Sequence, residues 1–354
     1  MKPNKHLKEL DGLRTRLYDS ELKRREEENR SYMMHLENRF LLLNFNLEAG
    51  RDTSDNVIEG MHGGWEFPTC QLRGHFLGHW LSAAAMRYHA VGDKEIKAKA
   101  DAIVDELAEC QKANGGQWAG PIPEKYLYRI AQGKQVWAPH YTIHKVFMGL
   151  LDMYEYAGNE TALEIAENFA DWFYDWTGRF SREEMNDILD FETGGMLEIW
   201  VELFAVTGKE KYKTLMERYY RERLFDPLLR GEDVLTNMHA NTTIPEVIGC
   251  ARAYDVTGDE KWRTIAENYW KLAVTDRGMY ATALPALTLP MGFLPILFPC
   301  RRAAAKAGQA RKAISSAVTA RWCRPTPLST EDSTTSRRIR STSASTVTAR
   351  LPLT

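Results

Sequence analysis

The sequence predicts an all-α fold, a toroid of inner and outer helical hairpins, on three observations. Four segments repeat one signature, an aromatic residue, three others, then Gly and a polar residue: Tyr88 to Asp93, Tyr154 to Asn159, Phe204 to Lys209 and Tyr254 to Asp259. A Glu follows each of these glycines within three residues and opens a new helical pattern. The segments on either side of a glycine differ in kind, one apolar around most of its circumference and the other amphipathic. Glycine just past a helix takes the left-handed conformation that ends it. Each signature therefore reads as a tight turn between two antiparallel helices, and hairpins recurring at about fifty residues read as a toroid or solenoid.

Two helices are expected in the first fifty residues, near 6–28 and 32–48. The segment Asp93 to Gln111 places Ile96, Ala100, Ile103, Val104 and Leu107 on one stripe, the mark of an outer helix. Ile143 to Tyr156, with Val146, Phe147, Met148, Leu150, Leu151 and Met153, reads as an inner helix buried on most sides. The same alternation recurs around Gly208 and Gly258, giving about ten helices where a closed ring of six hairpins needs twelve. The inner-to-outer turns are short, whereas the outer-to-inner connections, roughly 113–139, 177–192 and 224–241, are long. The long loops must gather at the end where the inner helices begin, the position at which a rigid scaffold carries function.

Those helix starts hold the unusual residues. They read Gln71 to His79 with Gly63-Gly64-Trp65-Glu66 upstream, Trp137 to His144, Phe191 to Glu198, and Asn237 to Glu246. Five of the nine histidines lie in them. A mouth of His, Asn, Glu and Arg with aromatic faces suits a sugar, whose hydroxyls need hydrogen bonds and whose ring carbons need an apolar platform. Trp65, Trp118, Trp137 and Tyr141 are the candidate platforms. Helix N-termini disfavour imidazolium, so these histidines are expected to be neutral. His75/His79 and His140/His144 each share one helix face and resemble half a zinc site. Neither pair encloses the Glu of a metalloprotease motif, so hydrogen bonding in a substrate cavity is the better reading. For Glu192 and Glu198, helix capping weighs equally with acid–base work.

Composition excludes several classes. A net charge of −2 argues against a general nucleic-acid binder. There is no apolar run of about eighteen residues suited to a membrane span, and no charged–apolar–small leader pattern at the N-terminus. Five scattered cysteines form no disulfide framework, and a cytoplasmic setting is the expectation. From Ala283 onward the chain carries eleven Lys/Arg against Glu331 and Asp332, and seven of the fourteen prolines. Residues 1–282 are thus expected to be a partial helical toroid. Residues 283–354 are expected to be an aberrant, basic Pro/Ser/Thr-rich tail, poorly ordered and arising from a shifted reading frame.

Taken together, Gly63-Gly64-Trp65-Glu66, Leu72 to His79, Ala138 to Lys145, Gly194-Gly195-Met196 and Asn241 to Pro245 resemble, in order, the beta-L-arabinofuranosidase family, glycoside hydrolase family 127. The resemblance covers about residues 7 to 282. It implies an (α/α)6 barrel followed by β-sandwich regions, and retaining hydrolysis of L-arabinofuranosides or related plant-derived sugars. The expected partner is an L-arabinose-containing oligosaccharide, with no nucleic acid or membrane. Family members are thought to use a cysteine nucleophile beside a zinc ion held by a Glu-x-Cys segment, with a separate glutamate as acid/base, all after the segment matching Arg277 to Thr282. Here Ala283-Leu284-Pro285 follows, and no Glu-x-Cys occurs downstream. The resemblance therefore assigns a sugar-facing set, Trp65, His75, His144, Glu192, His239 and Asn241, with no catalytic residue and no metal ligand. Zinc is the cofactor of the intact family, and impaired turnover is the expectation for this chain. Other toroid sugar enzymes, a 2-epimerase or an unsaturated glucuronyl hydrolase, and a non-catalytic carbohydrate-binding scaffold are the alternatives.

Overall fold

A charged first helix opens the described part of the chain, which in this computed structural model comprises residues 16–51 and 60–277. Helix α1, Glu21–His35, starts at Ser20, whose side chain accepts from the Lys23 amide. Two short helices follow, α2 (Asn38–Leu41) and α3 (Leu43–Glu48). The single helix expected over 32–48 is broken, because Leu36 and Glu37 are extended. The break has a packing cause. Phe40, Leu41, Leu42, Leu43 and Phe45 are all buried, and one straight helix would have turned part of that run to solvent.

Four hairpins then repeat. Their inner helices are α4 (His75–Val91), α7 (Pro139–Ala157), α10 (Met196–Thr207) and α13 (Ala240–Thr257). Each is followed by an outer helix: α5 (Lys94–Ala113), α8 (Glu160–Thr177), α11 (Glu210–Arg218) and α14 (Glu260–Trp270). The turns close at Gly92, Gly158, Gly208 and Gly258, with φ of 71°, 67°, 69° and 71°. Side chains of Asp93, Asn159 and Asp259 then accept from the first amides of three outer helices.

The inner helices stand side by side, α7 between α4 and α10 and α10 between α7 and α13, and outer helices α5, α8 and α11 follow the same order. The described hairpins thus form an arc of an all-α toroid. Between the layers lie Phe147, Phe169, Phe173, Trp176 and Trp200, each no more than 1% exposed. Helices α4 and α7 approach most closely, because Gly78 faces the Lys145 carbonyl and Gly149 faces the Gly78 carbonyl.

The long outer-to-inner connections contain short helices: α6 (Lys125–Ala131), α9 (Arg182–Phe191) and α12 (Glu222–Leu229). Among the described residues no helix is long and apolar enough to cross a membrane. The tail and its boundary at 283 lie outside the described residues.

Candidate active-site rim

The rim is built on the N-terminal turns of the inner helices, where backbone N–H groups lack intrahelical acceptors. Two carboxylates from neighbouring loops serve these amides. Glu66, in a 3-10 turn at Gly64–Glu66, accepts from the amides of Gly74 (2.7 Å) and Phe76 (3.0 Å) at the start of α4. Glu192, one residue past α9, accepts from the amides of His140 (2.8 Å) and Tyr141 (3.2 Å) at the start of α7. Of the two roles open to Glu192, its carboxylate holds the capping one.

Each carboxylate also fixes a histidine. His75 Nδ1 lies 2.8 Å from both the Leu72 carbonyl and a Glu66 oxygen. Both are acceptors, so Nδ1 carries a proton and Nε2 is left for a ligand. Burial pulls the His75 pKa down, but the Glu66 hydrogen bond and charge, with the Leu72 carbonyl, outweigh it and leave it raised. At His75 the Glu66 carboxylate thus works against the neutralising influence of the helix terminus.

His140 is fully buried, its Nδ1 against the Glu192 carboxylate (2.9 Å) and carbonyl (3.0 Å). Its Nε2 is 3.0 Å from the Tyr219 hydroxyl, whose proton is held firmly by burial and by the nearby Glu192 charge. It is a satisfied core histidine, so His140 and His144 do not act as a pair.

His144 is 4% exposed, and burial lowers its pKa. Its buried Nε2 stands 3.6 Å from Glu198, beyond hydrogen-bond range, and has no hydrogen-bond partner among the described residues. A Cβ on Gly195 would lie 2.6 Å from that nitrogen, so only glycine leaves room there.

The aromatic wall is a set of four rings. Trp65 and Trp137 are 60% and 50% exposed and meet edge to face at 6.0 Å. His75 lies 6.1 Å from Trp65 and 5.8 Å from Tyr141. The Trp137 amide donates to the Gln71 side chain at 2.6 Å, and the next residue, Ala138, is left-handed with φ 46°. A non-glycine residue in that conformation stores strain, which here sets the direction of Trp137. Trp118, by contrast, is a core residue, 2% exposed, with its Nε1 donating to the Ile122 carbonyl.

His239 and Asn241 open α13 and are exposed. Gly249 is the α13 residue level with Glu198 on α10. The start of α13 therefore stands about 13 Å further along the axis, nine residues at 1.5 Å each. The structure brings Trp65 and His75 together and sets His144 beside Glu198. It does not bring His239 or Asn241 into hydrogen bond or ring contact with them.

Sequence reasoning named His79 and Glu198 singly but passed over the row of polar side chains to which they belong. His79 and Ser82 lie on α4, Lys145 and Asp152 on α7, Glu198 and Glu202 on α10, and Arg252 on α13. Their spacing of three, four or seven within a helix is the signal, one face of each inner helix. Burial holds the Lys145 ammonium below its ordinary value, with Glu198 opposing. Burial also pushes Asp152 up to about 6. Glu202 pairs with Arg252 at 2.9 Å. Glu246 of the fourth motif is buried and paired with Arg221 at 3.1 Å.

The described residues do not fit a thiolate zinc centre. Burial pushes the Cys110 thiol up to about 11 and Cys250 well above its ordinary value, the opposite of what a zinc ligand needs. Among the described residues no three His, Cys, Asp or Glu side chains gather to hold a metal. Cys300 and Cys323 lie outside them.

The profile of the beta-L-arabinofuranosidase GH127 catalytic domain matches residues 14–283. Among solved structures, a GH127 beta-L-arabinofuranosidase from Geobacillus stearothermophilus T6 aligns over 75% of this chain and 46% of its own, at 18% identity and a TM-score of 0.50. A second GH127 beta-arabinofuranosidase aligns over 70% of this chain and 41% of its own, at 16% identity and a TM-score of 0.43. The chain thus spans less than half the length of these relatives. No curated protein is significantly similar to it. With its helical hairpins and its rim motifs in the family's order, the chain belongs to the GH127 beta-L-arabinofuranosidase catalytic-domain family.

Proposed function

We propose that the rim binds the terminal sugar of an L-arabinose-containing carbohydrate, in the manner of a glycoside hydrolase, without efficient turnover by these 354 residues. The observation that carries the reading is the exposed pair Trp65 and Trp137 set against His75, with the unpartnered His144 Nε2 and Glu198 at the next helix start. Exposed indoles supply the apolar platform a sugar ring needs, His75 Nε2 supplies a hydroxyl partner, and the buried His144 stands beside Glu198. In this reading Lys145 is a further contact to the terminal sugar, and His239 and Asn241, set apart along the axis, contact a more distant unit of the carbohydrate. Glu192 acts by holding α7 and His140 in place.

The limit on turnover rests on the absence of a Glu-x-Cys segment after Thr282. Two rim carboxylates, Glu66 and Glu192, are also already engaged by backbone amides. Zinc would serve family members that carry the thiolate segment, where it would lower the pKa of the thiol. The test pairs equilibrium binding of L-arabinose with hydrolysis of an aryl beta-L-arabinofuranoside by the purified full chain. Saturable binding with background hydrolysis is expected. Efficient hydrolysis would overturn the limit on turnover, and absence of binding would overturn the sugar reading.

A further inference from the structure

The last described hairpin leaves one side of the arc open. On α13, Gly249 faces Leu197 and the Glu198 amide of α10. At about 100° per residue, Ile244, Ile248 and Ala251 are turned roughly 100–160° away from that contact. Ile244 and Ile248 are 38% and 48% exposed, and Ala251 is exposed with them. On α14, Lys261 reaches back to Glu217 of α11 at 3.0 Å. Trp270 follows about two and a half turns later and so points the opposite way, 64% exposed.

Inner and outer layers thus both present apolar side chains on the flank away from α10 and α11. Single exposed apolar residues are ordinary. A stripe at i, i+4 and i+7, with an indole on the neighbouring helix, is instead the pattern of a surface that something covers. Repeating helical architectures need such a cover wherever their stacking stops.

The course of the chain identifies the cover. Helix α14 runs on through a π-helical turn, Lys271–Thr275. Arg277 is then fastened to Asp233 and to the Thr236 hydroxyl (3.3 Å), in the loop that leads into α13. The residues after Arg277 therefore depart from the end of α13 where Ile244 lies. Residues 283–299, outside the described part, hold nine large apolar side chains and no charge. The link from Arg277 to Ala283 reaches up to about 20 Å, and Ile244 to Ala251 is only about 10 Å along the helix. Pro285, Pro290, Pro295 and Pro299 rule out one continuous helix, so the run suits a segment laid along α13 rather than a fifth inner helix. A tether this short gives an effective concentration on the order of millimolar, which a second copy at micromolar concentration does not match. We infer that residues 283–299 dock on the flank formed by Ile244, Ile248, Ala251 and Trp270, a self-contact that caps the open side of the arc.

The test uses the full chain with Ile248 replaced by the photo-cross-linker p-benzoylphenylalanine. Ile248 is half exposed, so the melting temperature should stay that of the parent chain. After irradiation the product is sized on a denaturing gel and its cross-linked peptides are identified by mass spectrometry. A monomer-sized product joined to residues 283–299 is expected. Adding Leu287→Asp and Leu294→Asp should lower its yield about fivefold or more, since each lost apolar burial weakens docking. Where the 248 variant melts below the parent, the same label goes at Trp270, and the same outcomes apply. A dimer-sized product joining two copies overturns the inference in favour of a self-association face. So does a label that reaches no residue of 283–299, or a yield unmoved by the two aspartates. Sugar binding at the rim enters none of these readouts, so failure here leaves the proposed function standing.

Discussion

Replacing Gly78 by Ala should destabilise the toroid, although the substitution improves helix propensity. In an exposed helix interior the change would stabilise by about 1 kcal/mol. At Gly78 the added Cβ would stand 1.8 Å from the Lys145 carbonyl oxygen and 2.2 Å from its carbon. Both are backbone atoms of α7 and cannot rotate aside. To restore even a 3.0 Å contact the helices must part by about 1.2 Å, over a seam that also holds Leu81 against Gly149. Overpacking of this kind costs roughly 3 kcal/mol or more, so the net loss is about 2 kcal/mol. For a helical body of this size that is a fall in melting temperature of about 4–8 °C. Gly149→Ala meets the Gly78 carbonyl at 2.7 Å from the other side and should act in the same direction. The assay is thermal and urea denaturation followed by circular dichroism at 222 nm, with the wavelength chosen for helix. An unchanged or raised midpoint in Gly78→Ala would refute the close α4–α7 contact, and with it the placement of His75 beside Tyr141.

Other outcomes follow from the same geometry. Trp65→Ala and Trp137→Ala should each weaken L-arabinose binding by roughly tenfold while leaving the melting temperature unchanged, since both rings are half exposed or more. Isothermal titration with a parallel melt checks the pair, and a stability loss without an affinity loss would make them packing residues. Asp93→Ala should cost about 2–3 kcal/mol in urea denaturation, because it removes the α5 cap together with the partners of Arg30 and Arg87. For pH, burial holds His144 below the ordinary histidine value of 6.5, so the unfolded chain takes up a proton that the folded chain refuses. Stability is then lost as pH falls below about 6.5, and His144→Gln should flatten that acid-side decline in denaturation series between pH 7.5 and 5. His75 runs the other way. Its raised value contributes stability present below 6.5 and lost as pH rises through the folded-state pKa, so His75→Gln should steepen the acid decline.

The hairpins were legible because their turns obey local chemistry. Gly92, Gly158, Gly208 and Gly258 all take the left-handed conformation that the aromatic–Gly signature implies. The break at Leu36 was not legible, because it depends on which neighbours receive Phe40 to Phe45. Trp118 misled for a similar reason. Its sequence neighbours are loop-like, but Phe169 and Trp172 on another helix enclose it at 5.1 and 4.6 Å. At the rim, the spacing marked the helix starts but could neither rank their histidines nor tell that the start of α13 stands apart. His140 and His144 sit one turn apart on α7, yet one meets Tyr219 across the layers and the other opens toward Glu198. The Lys145, Asp152, Glu198 and Glu202 row was readable in principle as a polar stripe on helices otherwise apolar, and the apolar signal obscured it.

The capping carboxylates have a mechanical consequence. Swinging away the loop that carries Glu66, or the one that carries Glu192, would strand two amide donors apiece, and a stranded buried donor costs about 1–3 kcal/mol. These loops therefore behave as rivets rather than flaps. A sugar at the proposed rim would meet a shape set before it arrives, and its arrival rate should follow diffusion rather than any opening motion of those two segments.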